Sequence, residues 1–122
     1  MSNEIEKNIS DRWYREVERA RDKARGLIDE QIAINQNTTV VIGKLKEVSI
    51  DKLWRLNYPY CKLVLQNPLR FHTSGHFDCK MGETEYIFIN KPEMIMNMSE
   101  FQEKFPKISK KMVQKMQKER LW

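Results

Sequence analysis

The chain has 122 residues, 40% hydrophobic and 32% charged, with a formal net charge of +5. That composition suits one globular domain with a modest core and excludes a disordered chain. No apolar run approaches the ~20 residues that cross a bilayer, and the opening Met1-Ser2-Asn3-Glu4 is acidic and polar. A cytoplasmic location is therefore expected, with the two cysteines as reduced thiols.

Within the N-terminal segment 1–36, residues 3–34 read as one long helix. Apolar side chains recur at Ile5, Ile9, Trp13, Val17, Ala20, Ala24, Leu27 and Ile28 in steps of three or four, with charges on the other face. Residues 3–34 would make a helix roughly 45 Å long. From Trp13 the steps alternate four and three through Val17, Ala20, Ala24, Leu27, Gln31 and Ile34. A heptad seam of this kind can pair with a second copy, so a homo-oligomer is expected, with packing on the chain's own sheet as the plainer alternative. Asn35-Gln36-Asn37 reads as the linker that closes the helix.

Residues 37–90 read as a mainly antiparallel sheet of about four to five strands. Thr38–Val48 is β-branched, with Gly43 marking a bulge. Ile50, Leu53 and Trp54 have the spacing of a short helical turn. Tyr60–Gln66 alternates and Asn67-Pro68 ends it. Leu69–Thr73 and His76–Lys80 flank a Thr73-Ser74-Gly75 turn, and Thr84–Asn90 follows. Residues 91–122 read as a basic helical segment with a Ser99/Gln102 capping box, Pro106 in a first turn, and Ile108, Met112 and Met116 stepping by four. Met94, Met96 and Met98 read as apolar gap-fillers. The architecture expected is a single α+β domain.

Every cysteine and histidine lies in one window: Cys61, His72, His76 and Cys79. These residue types bind zinc or move protons near neutral pH. Alternation across the hairpin argues against a four-ligand site. Opposing His72 to His76, Phe71 to Phe77, Arg70 to Asp78 and Leu69 to Cys79 segregates polar from apolar side chains. Arg70, His72 and His76 then share a polar face that could contact a phosphate or nucleotide, while Cys79 turns into the core. The same histidines could serve a metal-independent ribonuclease. Neither a catalytic assignment nor a metal or other cofactor is expected, and the plain alternative is a solvated hairpin with an Arg70–Asp78 ion pair.

The positive surplus lies at the end of the chain, in Lys104, Lys107, Lys110, Lys111, Lys115, Lys118 and Arg120. Lysines in such a row suit phosphate backbones or an acidic protein surface, unless they merely solvate a helix face. Val40–Val48 and Lys62–Phe71 together resemble two core strands of the ASCH domains, a PUA-like group associated with RNA. That resemblance implies an RNA-related role, but the N-terminal Gly-Lys and Glu-x-Arg elements typical of those domains are missing, and a long helix is expected there instead. The function expected is a small binding protein for a nucleic acid, a nucleotide or an acidic nucleic-acid-handling protein. Size and basicity fit an accessory or inhibitor protein of a phage or mobile element. The alternatives are the ribonuclease, a structural homodimer and a zinc-binding module.

Overall fold

In the computed structural model, residues 2–52 and 58–119 are described, with side chains described for 11–51 and 58–115. Helix α1 (Ser2–Arg25) is followed by strands β1 (Gln31–Asn35), β2 (Thr39–Lys52), β3 (Pro59–His72), β4 (Phe77–Lys80) and β5 (Thr84–Ile89). A 3-10 turn (Pro92–Met94), strand β6 (Ile95–Asn97), and helices α2 (Met98–Lys104) and α3 (Pro106–Glu119) complete the order. The six strands form one antiparallel sheet in the order β4-β3-β2-β1-β6, with β5 beside β4 along the outer edge of β3.

The first helix is shorter than its apolar spacing suggests. It stops at Arg25, just before Gly26, and Asp29 turns the chain with φ 70°. The Asp29 N–H donates to Leu45 O at 2.7 Å and the Leu45 N–H to Glu30 O at 3.0 Å, which docks the turn on β2. Residues 31–35 then form a central strand, with Ile32, Ala33 and Ile34 wholly buried. A strand buried on both faces loses its polar–apolar alternation, so its two isoleucines fit a helical spacing equally well. Asn35-Gln36-Asn37 is thus a hairpin turn between β1 and β2. The Asn35 side chain accepts from the Asn37 N–H at 3.0 Å and Asn37 sits at φ 71°.

The heptad seam is consequently interior to the chain. Val17, Ala20 and Ala24 are wholly buried against Ile32, Ile34, Leu45, Leu63 and Leu65. The two alanines let α1 approach the sheet closely. Trp13 and Leu27 pack half-buried against the same cluster, and Ile34 lies in β1. These six residues therefore belong to the packing of one copy and do not form a helical stripe open to a second.

The β2–β3 hairpin carries two cores. Cys61, Leu63 and Leu65 face α1, whereas Leu69 and Phe71 face α2 and α3 together with Val40, Ile42, Phe101, Ile108 and Met112. Regular alternation would keep these five odd-numbered residues of β3 on one face. The strand instead irregularly shifts register between Ile42/Lys44 and Leu45/Glu47, and Asn67 adopts φ 51°. Asn67-Pro68 therefore bends the strand rather than ending it. Pro68 lacks an N–H and is tolerated at such a bulge. Its carbonyl accepts from Met81 N at 3.0 Å, and Asn67 N donates to Glu83 O at 2.8 Å, so β4 and β5 meet β3 on either side of the bend.

The other sheet edge is guarded. Lys23 Nζ donates to Ile95 O, in the first residue of the three-residue strand β6, at 2.7 Å and to Pro92 O just before it at 3.3 Å. The cap of α2 lies two residues earlier than expected: Asn97 and Glu100 form the capping box, because β6 ends at Asn97. Residues 53–57, which include Leu53 and Trp54, lie outside the described residues.

A Cβ at position 43 would lie 3.1 Å from Pro68 Cβ, 3.2 Å from Pro68 Cα and 3.3 Å from Leu65 Cβ. Gly43→Val should overpack this crossing and lower stability by about 2 kcal/mol. Asn67→Gly should be close to neutral, since glycine accepts a positive φ without strain. Urea unfolding followed by circular dichroism checks both. Equal midpoints for wild type and Gly43→Val would contradict the packing described.

Candidate functional site

The tip of the β3–β4 hairpin lies against α3. Gly75 has φ 109°, a conformation that strongly favours glycine, and its N–H donates to His72 O at 2.8 Å. A Cβ there would lie 3.8 Å from Lys107 Cβ and 3.9 Å from Lys111 Nζ. One turn further along α3, Lys115 Nζ lies 3.9 Å from the centre of the Phe77 ring. Lys107, Lys111 and Lys115 thus form one flank of α3, at i, i+4 and i+8, turned toward the hairpin. The helix is fixed by Ile108 and Met112, which are buried against Phe71 and Leu69.

The other basic residues are dispersed. Lys110 borders a shallow groove with Gln102, Ser109 and Val113, away from the hairpin. Lys104 lies near Lys23, Glu100 and Glu103, with its ammonium 5.9 Å from the Phe105 ring centre. Lys118 is in α3 beyond the described side chains, and Arg120 lies outside the described residues. Among the described residues, no carboxylate lies within 4.0 Å of Lys107, Lys110 or Lys111.

The histidine window forms a different surface. Arg70 and His72 alternate with Leu69 and Phe71 and so point away from α3. Arg70 Nε donates to Asp78 Oδ2 at 2.6 Å, and His72 Nε2 lies 4.0 Å from Asp78 Oδ1. The Asp78 hydrogen bond, then its charge and that of Cys79, push Arg70 above the ordinary guanidinium range. His76 is exposed at the far side of the turn, where its carbonyl accepts from His72 N at 2.7 Å. Asp78 therefore occupies the cation expected to steady an anion.

The hairpin register differs from the expected one by a bulge. Phe71 opposes Phe77, but Arg70 opposes Cys79 and Leu69 opposes Lys80. Asp78 is the extra residue, and it carries Cys79 to the Arg70 side, where the thiol is half-buried. Cys79 accordingly does not turn into the core. Cys61 does, nine strand positions away, or about 30 Å along β3. The four residues of the window are not assembled around one point, and among the described residues no group of three His, Cys, Asp or Glu could hold a metal ion.

Phe77 is one of several aromatics that the sequence sets among lysines and arginines, and its exposure is what the sequence does not single out. Alternation correctly places it on the Phe71 side, but β4 is a four-residue edge strand, and 39% of Phe77 remains exposed. No local pattern signals that a hairpin tip and a helix more than thirty residues apart meet.

No family model, curated protein or solved structure matches the chain. Val40–Val48 and Lys62–Phe71 lie in the paired strands β2 and β3, and no family model supports the resemblance to ASCH domains. Among the described residues no helix is long and apolar enough to cross a membrane.

The two thiols should behave oppositely. Burial pushes Cys61 up from 9.0 to about 11. A thiol-reactive probe at pH 8 should label one site in the native protein, abolished by Cys79→Ser, and a second only on unfolding. The folded state holds the Cys61 proton more tightly than the unfolded state. Stability should thus fall as pH rises from 9.0 toward about 11. Cys61→Val should lose that dependence, as measured by urea midpoints across the range.

Proposed function

We propose that this chain binds the phosphate backbone of a nucleic acid along the flank of α3 that borders the β3–β4 hairpin. The observation that carries this reading is the Lys107–Lys111–Lys115 row beside Gly75 and Phe77. Like charges four residues apart on a helix repel. Lys107 also lies in the first turn of α3, where the helix has no acidic residue and where the macrodipole disfavours a cation. Among the described residues Lys107 and Lys111 have no carboxylate within 4.0 Å to offset these costs, whereas a polyanion relieves both.

The dimensions favour a polymer over a mononucleotide. Eight helical residues span about 12 Å, the length over which one stacked strand carries three to four phosphates at ~3.4 Å each. Lysine meets phosphate as a point charge, so the contact positions the strand without reading its sequence. An acidic nucleic-acid-handling protein could meet the same lysines. The exposed ring among them favours the nucleic acid itself.

Three lysine–phosphate contacts imply a weak, salt-sensitive complex. Between 50 mM and 200 mM salt the affinity should fall roughly 20- to 40-fold. Lys107→Glu with Lys111→Glu, both exposed, should weaken binding at least about tenfold and flatten the salt slope. Lys110→Glu should leave that slope unchanged. Fluorescence anisotropy with labelled single- and double-stranded oligonucleotides reads these effects, and melting curves verify the fold. Absence of binding to either at low salt overturns the reading. Shortening of the oligonucleotide by wild type but not by His72→Ala would establish the ribonuclease instead.

A further inference from the structure

Phe77 is the feature of this edge that phosphate binding does not explain. It is a large aromatic side chain, 39% exposed, on an edge strand beside three lysines. Its ring is not loose. The wholly buried Phe71 holds it in an edge-to-face contact, with centroids 5.3 Å apart and planes at 70°. Lys115 Nζ lies 3.9 Å from its centre. A side chain anchored in this way loses little further freedom when a ligand arrives.

We propose that Phe77 is a stacking platform for an unpaired base, so that the α3 flank prefers single-stranded nucleic acid to duplex. The inference rests on the reading of Lys107, Lys111 and Lys115 as phosphate contacts and adds the selecting element. Charge and an aromatic face placed side by side are the two components a single strand requires: lysines follow the backbone while a ring receives a base. A duplex keeps its base faces stacked on one another and offers Phe77 only sugar and phosphate. Lys115 supports the ring from one side, its charge drawn to the π face. The stack is sequence-tolerant, because every base has a π face. A peptide rich in carboxylates would meet the lysines but present no flat ring to Phe77.

The test uses the full chain and four probes of equal length or charge: single-stranded oligothymidylate, the same strand built entirely of abasic sugar–phosphate, a duplex, and polyglutamate. Oligothymidylate should bind roughly tenfold tighter than the abasic strand. Phe77→Leu, which keeps apolar cover over Phe71 but has no π face, should remove that difference. Phe77→Trp should restore it and add an indole fluorescence that oligothymidylate quenches and the abasic strand does not. Equal affinity of wild type for the two strands, or no effect of Phe77→Leu, overturns the platform while salt-sensitive binding of both keeps the phosphate reading. Failure to bind either strand or the duplex removes the phosphate reading itself, and the platform with it. Polyglutamate binding tighter than oligothymidylate overturns both in favour of an acidic protein partner.

Discussion

The close approach of Gly43 to Pro68 is the constraint on which the rest of the molecule depends. With no side chain at position 43, the β2 backbone can lie against the proline ring where β3 bends. That bend changes the face to which the odd-numbered residues of β3 point, from the α1 side at Leu65 to the α2/α3 side at Leu69. One strand can thereby serve two hydrophobic clusters. A straight β3 would present Leu69 and Phe71 to the α1 layer, and Ile108 and Met112 would lose the surface that holds α3.

From that constraint the basic edge follows by packing. Phe71 is the largest buried side chain at the distal end of the sheet, and it organises its neighbours. Phe77 leans on it from β4, and Ile108 and Met112 close over it from α3. Once α3 is seated with those two residues inward, helical periodicity leaves Lys107, Lys111 and Lys115 on the flank beside the hairpin. Gly75 completes the contact, because its left-handed backbone makes the turn tight and its missing side chain leaves room for the lysine stems. The charge row is thus held by a rigid framework, as a binding surface requires.

Much of this was legible in the residues. The start of α1, the Thr73-Ser74-Gly75 turn, the Arg70–Asp78 pair and the strand beginning at Thr84 all follow from spacing and turn chemistry. Three things were not. Residues 31–35 resemble a helix continuation because a strand buried on both faces has no alternation to display. The bulge at Asp78 reverses the side on which Cys79 lies, and a single inserted residue leaves no signature in hydrophobicity. The proximity of Gly75 to Lys107 joins segments distant in sequence, which only the tertiary fold brings together. The unrecognised central strand also explains why the alanine seam looked like an interface: small residues suit close packing on a sheet as well as on a helix.

The polar face of the β3–β4 hairpin and the α3 flank beside its tip differ in whether their cations already have a carboxylate partner. On one, Arg70 and His72 converge on Asp78, so a carboxylate of the chain itself already supplies the negative charge an anion would bring. An incoming phosphate would have to displace that carboxylate from a half-exposed site, with little Coulombic gain to offset the loss. On the other, Lys107 and Lys111 have no carboxylate within ion-pair distance among the described residues, and an aromatic ring lies exposed between lysine and solvent. Exposed cations close together repel one another at modest cost in water, and that cost falls when a polyanion is bound. A side chain that already has a carboxylate partner stabilises the hairpin, whereas Lys107 and Lys111, like charges one turn apart, repel one another. One face of the hairpin is therefore closed by its own ion pair, while the α3 flank beside its tip presents Lys107 and Lys111 without a carboxylate neighbour among the described residues.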